Sequence, residues 1–347
     1  MTSPDFGAMV WRMFGPPAPP PFDPDLLRMG RDLRGQGIEP MRHGREWHQV
    51  RRGVWISAAS WESLSPVQRH AALVHAAALT LTTEVPLAFA GPSAAAVLGL
   101  PRITAWPTDV HVLADPRGRS HPNRRSRGTA KGVRRRAGEC VRPVSINGIL
   151  ITPPAKTLAD LARLDSLDNA LAAADQALRR GLCTHADLHD EIAAIPPRSR
   201  GRRAAHLLSL LVDSGSMSAG ESLSRLQMFR LNLPRPELQV EFADEEGLIG
   251  FTDFTWRGIA GATVVGEFDG RIKYRLDPAA PQDQVERVLW EEKLREDRLR
   301  KQARVARCTW AHAWDRVKLA RELARHGIRP LPRNTWFDLA APTVKLG

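Results

Sequence analysis

The chain has 347 residues, which exceeds the usual size of one compact domain, so we expect two or three folded units. Hydrophobic residues make up 43% and charged residues 25% of the sequence, proportions that exclude a fibrous or wholly disordered protein. The net charge is +12, and the part before Ser216 holds 28 Lys and Arg against 19 Asp and Glu. Such a basic N-terminal part favours a polyanionic partner such as DNA, although solubility alone would also explain it.

The sequence contains no segment typical of a membrane span, a secretion signal or a metal-binding cysteine pair. Its longest apolar stretch, around 71–83, contains His75 and is shorter than the roughly 18 residues of a transmembrane helix. No basic segment followed by an apolar one is found near the start, so we expect a cytoplasmic protein without a membrane partner. The three cysteines, Cys140, Cys183 and Cys308, are far apart and are predicted to be reduced packing residues.

The first 65 residues predict a Pro-rich tail followed by a small DNA-binding-like segment. Residues 1–22 include the run PPAPPP and are predicted to be disordered. In 23–65, a short helix that stops at Gly35 or Gly37 precedes a strand in EWHQVRRGVWI. A helix followed by a basic strand is typical of the end of a winged helix, and a purely structural helix and hairpin fits these residues equally well.

Residues 66–195 predict an α/β arrangement, so the N-terminal part as a whole is expected to be α+β. Two Ala-rich helices, in PVQRHAALVHAAALTL and PSAAAVLGL, precede a strand in DVHVLA. A long helix is expected in TLADLARLDSLDNALAAADQALRRG. Thr184 and Asp187 have the spacing of a capping box that starts the next helix.

A strongly basic loop is predicted between the strands of this region, over residues 117–136. It carries nine positive charges and no acid, and such a run repels itself unless a polyanion neutralises it. A solvated disordered loop is one interpretation, and the excess of arginine over lysine favours contact with phosphates. The predicted DNA-binding residues are Arg117, Arg119, Arg124, Arg125, Arg127, Lys131, Arg134, Arg135 and Arg136.

The pattern changes after a basic, turn-rich segment, PPRSRGRR, which places a linker at 196–215. Residues 216–330 predict the order α-β-β-β-α-β-α, with strands in ELQVEFA, FTDFTW, ATVVGEFDG and VARCTW. Three consecutive strands followed by a helical crossover form a mixed sheet flanked by helices, so the fold class is α/β. Residues 331–347 are predicted to be a tail.

Acidic residues on the predicted strands form a candidate metal site. Asp253 lies among apolar residues and needs a cation or a proton there, while Glu267 and Asp269 share one face of a strand. Clustered carboxylates are the ligands that magnesium prefers, and Glu221 lies early in the preceding helix. For any one of these acids an ion pair at a strand edge is the better interpretation, whereas the set favours a site.

A lysine is expected close to these acids. Lys293 follows two apolar residues of its predicted helix at intervals of four residues. This spacing predicts that Lys293 lies on the helix face that packs against the sheet. Lys273 is the other candidate, but it lies in a predicted turn, where periodicity does not define its direction.

At these residues the C-terminal part resembles a family of actinobacterial proteins related to very-short-patch-repair endonucleases, within the PD-(D/E)xK superfamily. The resemblance is carried by AGESLSR, FTDFTW, GEFDGRIKY and EEKLREDRLRKQARVARCTW. It implies a restriction-endonuclease-like fold in which Asp253 and Glu267 bind Mg²⁺ or Mn²⁺ and Glu221 is the helical acid. Asp269 stands at the position of the family's catalytic lysine. Lys273 or Lys293 would therefore have to take over the role of that lysine, and Lys293 is favoured.

The N-terminal part is similar to antitoxins and transcriptional regulators of the AbiEi type, through RRGVWI, PSAAAVLGLP and PPAKTLADLA. The two resemblances together imply a DNA-binding protein with a magnesium-dependent endonuclease-like domain that hydrolyses phosphodiesters, in phage defence, restriction or repair. The alternative is a non-enzymatic antitoxin or repressor, with a cognate toxin as partner, whose nuclease fold is degenerate. The sequence does not define the oligomeric state or the DNA target.

Overall fold

The computed structural model describes residues 21–42, 44–81, 87–114, 132–137, 142–269 and 282–338. The chain divides between Ser209 and Leu210 into two compact units, the N-terminal and C-terminal units. This division falls inside the segment 196–215 that was predicted as a linker, and the helix Arg202–Leu211 spans it. Among the described residues, no helix combines the length and apolar character that crossing a bilayer requires.

A three-stranded antiparallel sheet opens the N-terminal unit. Its strands are β1 (Arg28–Met29), β2 (Trp47–Arg51) and β3 (Val54–Ser57), in the order β1-β3-β2, and helix α1 (Gly30–Gly35) follows β1. The helix ends at Gly35 as the sequence predicts. The single strand predicted in EWHQVRRGVWI is instead a hairpin, because Gly53 adopts a φ of 84° that permits a tight turn.

The second sheet of this unit has five strands in the order β6-β5-β4-β8-β7. Its strands are β4 (Ala88–Phe89), β5 (Val110–Ala114), β6 (Val133–Ala137), β7 (Val144–Ile146) and β8 (Ile149–Ile151). The basic segment was predicted to be a loop up to Arg136, and this was wrong for its end, since β6 pairs with β5 in parallel register. The rest of that segment, 117–131, lies outside the described residues.

The described part of the N-terminal unit contains seven further α-helices, the last of which leads into the C-terminal unit. They are α2 (Ala58–Ser63), α3 (Pro66–Thr80), α4 (Pro92–Val97), α5 (Pro154–Leu164), α6 (Leu167–Arg179), α7 (His185–Ala193) and α8 (Arg202–Leu211). The long helix predicted from TLADLARL onward is two helices, because Ser166 caps a new helix by accepting a hydrogen bond from Asn169 N at 3.2 Å. The capping box of Thr184 and Asp187 is confirmed.

The C-terminal unit has the predicted order of elements, except that the last helix is two. These elements are α9 (Ala219–Arg230), β9 (Glu237–Asp244), β10 (Gly247–Ile259), β11 (Ala262–Asp269), α10 (Gln282–Arg300), β12 (Arg304–Thr309), α11 (Trp310–Trp314) and α12 (Arg316–Arg325). The four strands are ordered β12-β11-β10-β9, with β12 parallel to β11 and the other pairs antiparallel. The α/β class is therefore confirmed.

Apolar contacts fix the position of α10 on this sheet. Leu299 is buried and belongs to one cluster with Val265 of β11 and Val305 of β12. Arg295 precedes Leu299 by four residues and therefore lies on the same side of the helix. The unit extends past residue 330, since buried Trp336 donates a hydrogen bond from Nε1 to the carbonyl of Leu233 at 2.7 Å. Residues 331–338 are consequently part of the unit and not a tail.

The packing predicts that residues 202–347 fold without the N-terminal unit. Buried Arg225 donates from Nε to Ser216 Oγ at 3.0 Å and also binds the carbonyl of Leu211, so the unit needs the end of α8. We expect the 202–347 fragment to be soluble and to unfold cooperatively in urea. A fragment that begins at Met217 removes both acceptors, and its free energy of unfolding should be lower by about 1–3 kcal/mol. Aggregation of the longer fragment would show that the two units share a core.

Candidate functional site

The two acids predicted as metal ligands lie opposite each other on neighbouring strands. β10 and β11 are antiparallel, and Phe254 pairs with Gly266. Asp253 and Glu267 are the next residues along the two strands, and each is only 8% exposed. Asp253 Oδ2 accepts a hydrogen bond from the backbone N–H of Phe268 at 2.7 Å. The strand pairing therefore brings two nearly buried carboxylates to one place, as the sequence predicts.

An arginine of α10 supplies the positive charge beside these acids. Arg295 Nη2 lies 3.5 Å from Glu267 Oε2, and the same guanidinium donates from Nε and Nη2 to both oxygens of Glu292 at 3.2 Å. Burial by itself would lower the pKa of Arg295, but the carboxylates of Glu267, Glu292 and Asp253 raise it above its usual value. The guanidinium is therefore a permanent cation of this site.

Gly250 of β10 lies beside that guanidinium. The pairing of β10 with β9 shifts register between Leu248 and Gly250, and Gly250 has a φ of 139°. A Cβ at this position would lie 3.5 Å from Arg295 Nη1. The register shift of β10 therefore lies beside the arginine, and the φ of Gly250 would be strained in any other residue.

Sequence reasoning missed one further polar contact of the site. Gln239 of β9 has a φ of 49°, which is rare for a residue other than glycine, and its Nε2 lies 3.5 Å from Asp253 Oδ1. A strained residue whose side chain reaches a buried carboxylate is a feature of functional sites and of tightly determined cores alike. Nothing in the pattern ELQVEFA distinguishes this glutamine from an ordinary strand residue.

The other predicted acids have protein partners of their own. Glu221 is buried at the start of α9, where its Oε2 accepts a hydrogen bond from Met217 N at 2.8 Å. Asp269 forms an ion pair with Arg307 Nη1 at 3.6 Å, and Arg307 is also paired with Glu296. In the described parts of the chain, no three His, Cys, Asp or Glu side chains are placed to hold a metal together.

Of the two lysine candidates, the structure describes only Lys293, and it does not lie beside the acids. Lys293 was predicted to face the sheet, and this was wrong, because its side chain is exposed and its Nζ lies 5.6 Å from the ring centroid of Trp290. The face of α10 is set by Leu299, and the residue that this face directs to the sheet is Arg295. Lys273 lies outside the described residues.

This arrangement does not fit a magnesium ion in its present form. Magnesium requires several oxygen ligands at about 2.0–2.1 Å in near-octahedral geometry. Glu267 is instead paired with Arg295, and both oxygens of Asp253 lie within hydrogen-bonding distance of protein N–H groups. The charge that a metal would supply is provided by a guanidinium, so the site as it stands is an ion-pair network.

The described end of the basic segment is an exposed strand. Arg134 and Arg135 of β6 are exposed, and Arg134 Nη2 lies 3.8 Å from Asp109 Oδ2. Arg136 belongs to the same strand, but its side chain is not described. The remaining predicted DNA-binding residues lie outside the described residues, namely Arg117, Arg119, Arg124, Arg125, Arg127 and Lys131. The strand therefore presents at least two arginines to solvent.

Arg134 of this strand also lines a cavity of about 170 Å³ in the N-terminal unit. Its polar lining includes Arg102, His111, Arg134, Asp160 and Asp165. Arg102 donates from Nη2 to Asp165 Oδ1 at 3.2 Å, so part of the charge in the lining is already balanced. Opposite charges in its wall suit a small polar molecule or ordered water.

A buried histidine stands next to this cavity. His70 is 4% exposed, its Nε2 lies 3.3 Å from Ser93 Oγ, and its ring stacks on Trp106 with centroids 5.1 Å apart. Burial, together with the nearby His111 and Arg102, lowers the pKa of His70 from 6.5 to about 4. The imidazole is therefore neutral at pH 7, and protonating it opposes folding.

We predict that His70 makes the protein less stable in mild acid. In the unfolded chain this imidazole takes up a proton near pH 6.5, whereas in the folded chain it does so near pH 4, so stability is lost as the pH falls through that window. The loss attributable to His70 should approach about 3 kcal/mol by pH 4. His70→Gln, measured by urea unfolding from pH 7 to pH 4, should reduce this dependence, while His189→Gln, at an exposed site, should not. Equal pH dependence in all three proteins would contradict the assignment.

Comparison with known proteins identifies part of the N-terminal unit. Residues 88–210 match the family described as the AbiEi antitoxin C-terminal domain, a range that contains the five-stranded sheet and α4–α7 and nearly all of α8. The chain is also similar to two uncharacterised proteins of Mycobacterium tuberculosis, from strains CDC 1551 and H37Rv. Each is 35% identical over 150 residues, which cover 42% of this chain and 51% of the relative.

The chain thus spans about half the length of the curated relatives that it matches. No solved structure matches it. The comparisons give no support for a very-short-patch-repair-like nuclease domain in the C-terminal unit. What they do establish is an AbiEi-antitoxin-like region over 88–210.

Proposed function

We propose that this chain is a DNA-binding regulator of the antitoxin type that acts together with a cognate toxin. The observation that carries the proposal is the match of residues 88–210 with the AbiEi antitoxin C-terminal domain. These residues form most of the N-terminal unit, so the similarity covers a folded arrangement and not an isolated motif. A toxin encoded beside this gene, whose product co-purifies with the chain, is the partner that the proposal expects.

The three-stranded sheet supports the DNA-binding part of the proposal. Its order β1-β3-β2, with a helix between the first strand and the hairpin, resembles the sheet of a winged helix. Only one helix, of six residues, lies between β1 and β2 in the described chain, so the second helix of a helix-turn-helix is not found there. Recognition by the hairpin and by basic strands is therefore favoured over a recognition helix.

The charge distribution supports the same conclusion. The chain has a net charge of +12, and Arg134 and Arg135 extend an exposed basic edge at the end of the five-stranded sheet. Arginine suits phosphate recognition because its planar guanidinium donates two hydrogen bonds to one phosphate group. Contacts of this kind position a protein on DNA without reading its sequence.

A magnesium- or manganese-dependent DNA endonuclease is the second candidate function. The observation in its favour is that Asp253 and Glu267 lie opposite each other on adjacent strands, within a unit of the predicted element order. It requires Arg295 to leave Glu267 before a metal binds. Incubation with plasmid, linear and single-stranded DNA, with and without Mg²⁺ or Mn²⁺, tests it, and uncut DNA in every arm would exclude it.

The DNA-binding proposal makes a prediction about salt dependence. If the arginines of β6 contact phosphates, Arg134→Ala, Arg135→Ala and Arg136→Ala together should weaken binding to duplex DNA. The slope of log K against log salt concentration should fall by up to about 0.9 for each lost contact. Fluorescence anisotropy with one labelled duplex over a range of salt concentrations measures this slope.

The matched control removes the same charge from exposed positions of the C-terminal unit, by Arg316→Ala, Arg321→Ala and Arg329→Ala. This variant should retain most of the wild-type salt slope. An unchanged slope in the β6 variant, or an equal loss in both variants, would contradict a phosphate-binding role for this strand.

A further inference from the structure

We propose that the guanidinium of Arg295 is a built-in replacement for a divalent cation at Asp253 and Glu267, and that removal of Arg295 creates a Mn²⁺ site there. All of these residues belong to the C-terminal unit. Their charge balance does not depend on whether the N-terminal unit binds DNA.

The two carboxylates need a positive charge beside them. Asp253 and Glu267 are each 8% exposed, and two carboxylates this close to burial are costly unless a cation is near. Among the residues that the structure describes, Arg295 is in contact with Glu267, at 3.5 Å, and the charge of Asp253 also acts on it. An arginine does not deprotonate at any pH at which the protein is folded, so this cation is always present.

The shape of the site is the second argument. Arg295 lies against Gly250, where the register of β10 shifts and the φ of 139° excludes an unstrained side chain. Glu292, one turn earlier in α10, binds the same guanidinium through both carboxylate oxygens. Leu299 fixes the helix face by packing on the sheet. The arginine is thus held by the sheet and by its own helix, which a solvated surface ion pair would not require.

Competition for one carboxylate is the third argument. A divalent cation bound to Glu267 would stand beside a fixed guanidinium, and two positive charges at that separation repel each other in a partly desolvated site. Arg295 would have to break its contacts with Glu267 before a metal gained that oxygen. The wild-type chain should consequently bind Mn²⁺ at least tenfold more weakly at this place than a chain without the guanidinium.

Mn²⁺ binding to the full-length chain tests the proposal, with Mn²⁺ alone as the probe. Titration followed by the electron paramagnetic resonance of the unbound ion counts sites on the wild type, Arg295→Gln, and Arg295→Gln with Glu267→Gln. We expect one site in Arg295→Gln that is bound at least tenfold more tightly than by the wild type. Loss of that site in the double variant would assign it to Glu267.

Arg298→Gln is the matched control. Arg298 lies in the same helix and also pairs with two carboxylates, Asp244 and Glu246. This variant should gain no comparable site, and an equal gain would mean that unmasking any carboxylate suffices, which would overturn the proposal. It would also be overturned if the wild type bound one Mn²⁺ that Glu267→Gln removes, or if folded Arg295→Gln bound no more Mn²⁺ than the wild type.

Circular dichroism establishes that each variant is folded. Arg295→Met, which keeps an apolar stem against Gly250, replaces Arg295→Gln if the latter does not fold. If neither variant folds, the wild type decides the matter, because Glu267-dependent Mn²⁺ binding overturns the proposal and its absence supports it.

Discussion

The C-terminal unit depends on neutralising carboxylates that its own strand pairing brings together. Antiparallel pairing of β10 with β11 sets Asp253 opposite Glu267 on nearly buried positions. Repulsion between two such groups opposes folding unless a cation lies between them or beside them. Among the described residues Arg295 supplies positive charge to Glu267, and it lies beside Gly250 of β10. Two opposed carboxylates on adjacent strands are thus combined with an ion pair to a helix.

The fold of the C-terminal unit therefore does not by itself define the chemistry of the site. The sequence predicted a metal site from acids on two strands, and phosphodiester hydrolysis was implied only by the resemblance of this part to a nuclease family. Function resides in the site and not in the fold, however, and the site holds an arginine where a metal would be needed. The antitoxin-like region at 88–210 gives the N-terminal unit an independent basis for a regulatory role.

The features that could be predicted from the sequence are those set by local residue patterns. Alternation placed Asp253 and Glu267 on strands, and spacing identified the capping box at Thr184. Local patterns did not predict which face of α10 contacts the sheet, because charged residues occur on all of its faces. That face is set by Leu299, which packs against strands far away in the sequence. The four-residue spacing of Lys293 from two apolar residues predicted that it faces the acids, whereas the structure places Arg295 beside them.

A double-mutant cycle between Arg295 and Glu267 tests the central claim most directly. The free energy of unfolding is measured for the wild type, Arg295→Gln, Glu267→Gln and the double variant, at one pH and ionic strength without divalent cations. An ion pair on which the unit depends predicts a coupling energy above about 1 kcal/mol, with the double variant less destabilised than the two single variants combined. Additive effects within about 0.3–0.5 kcal/mol would contradict the claim that Arg295 is the cation of this site.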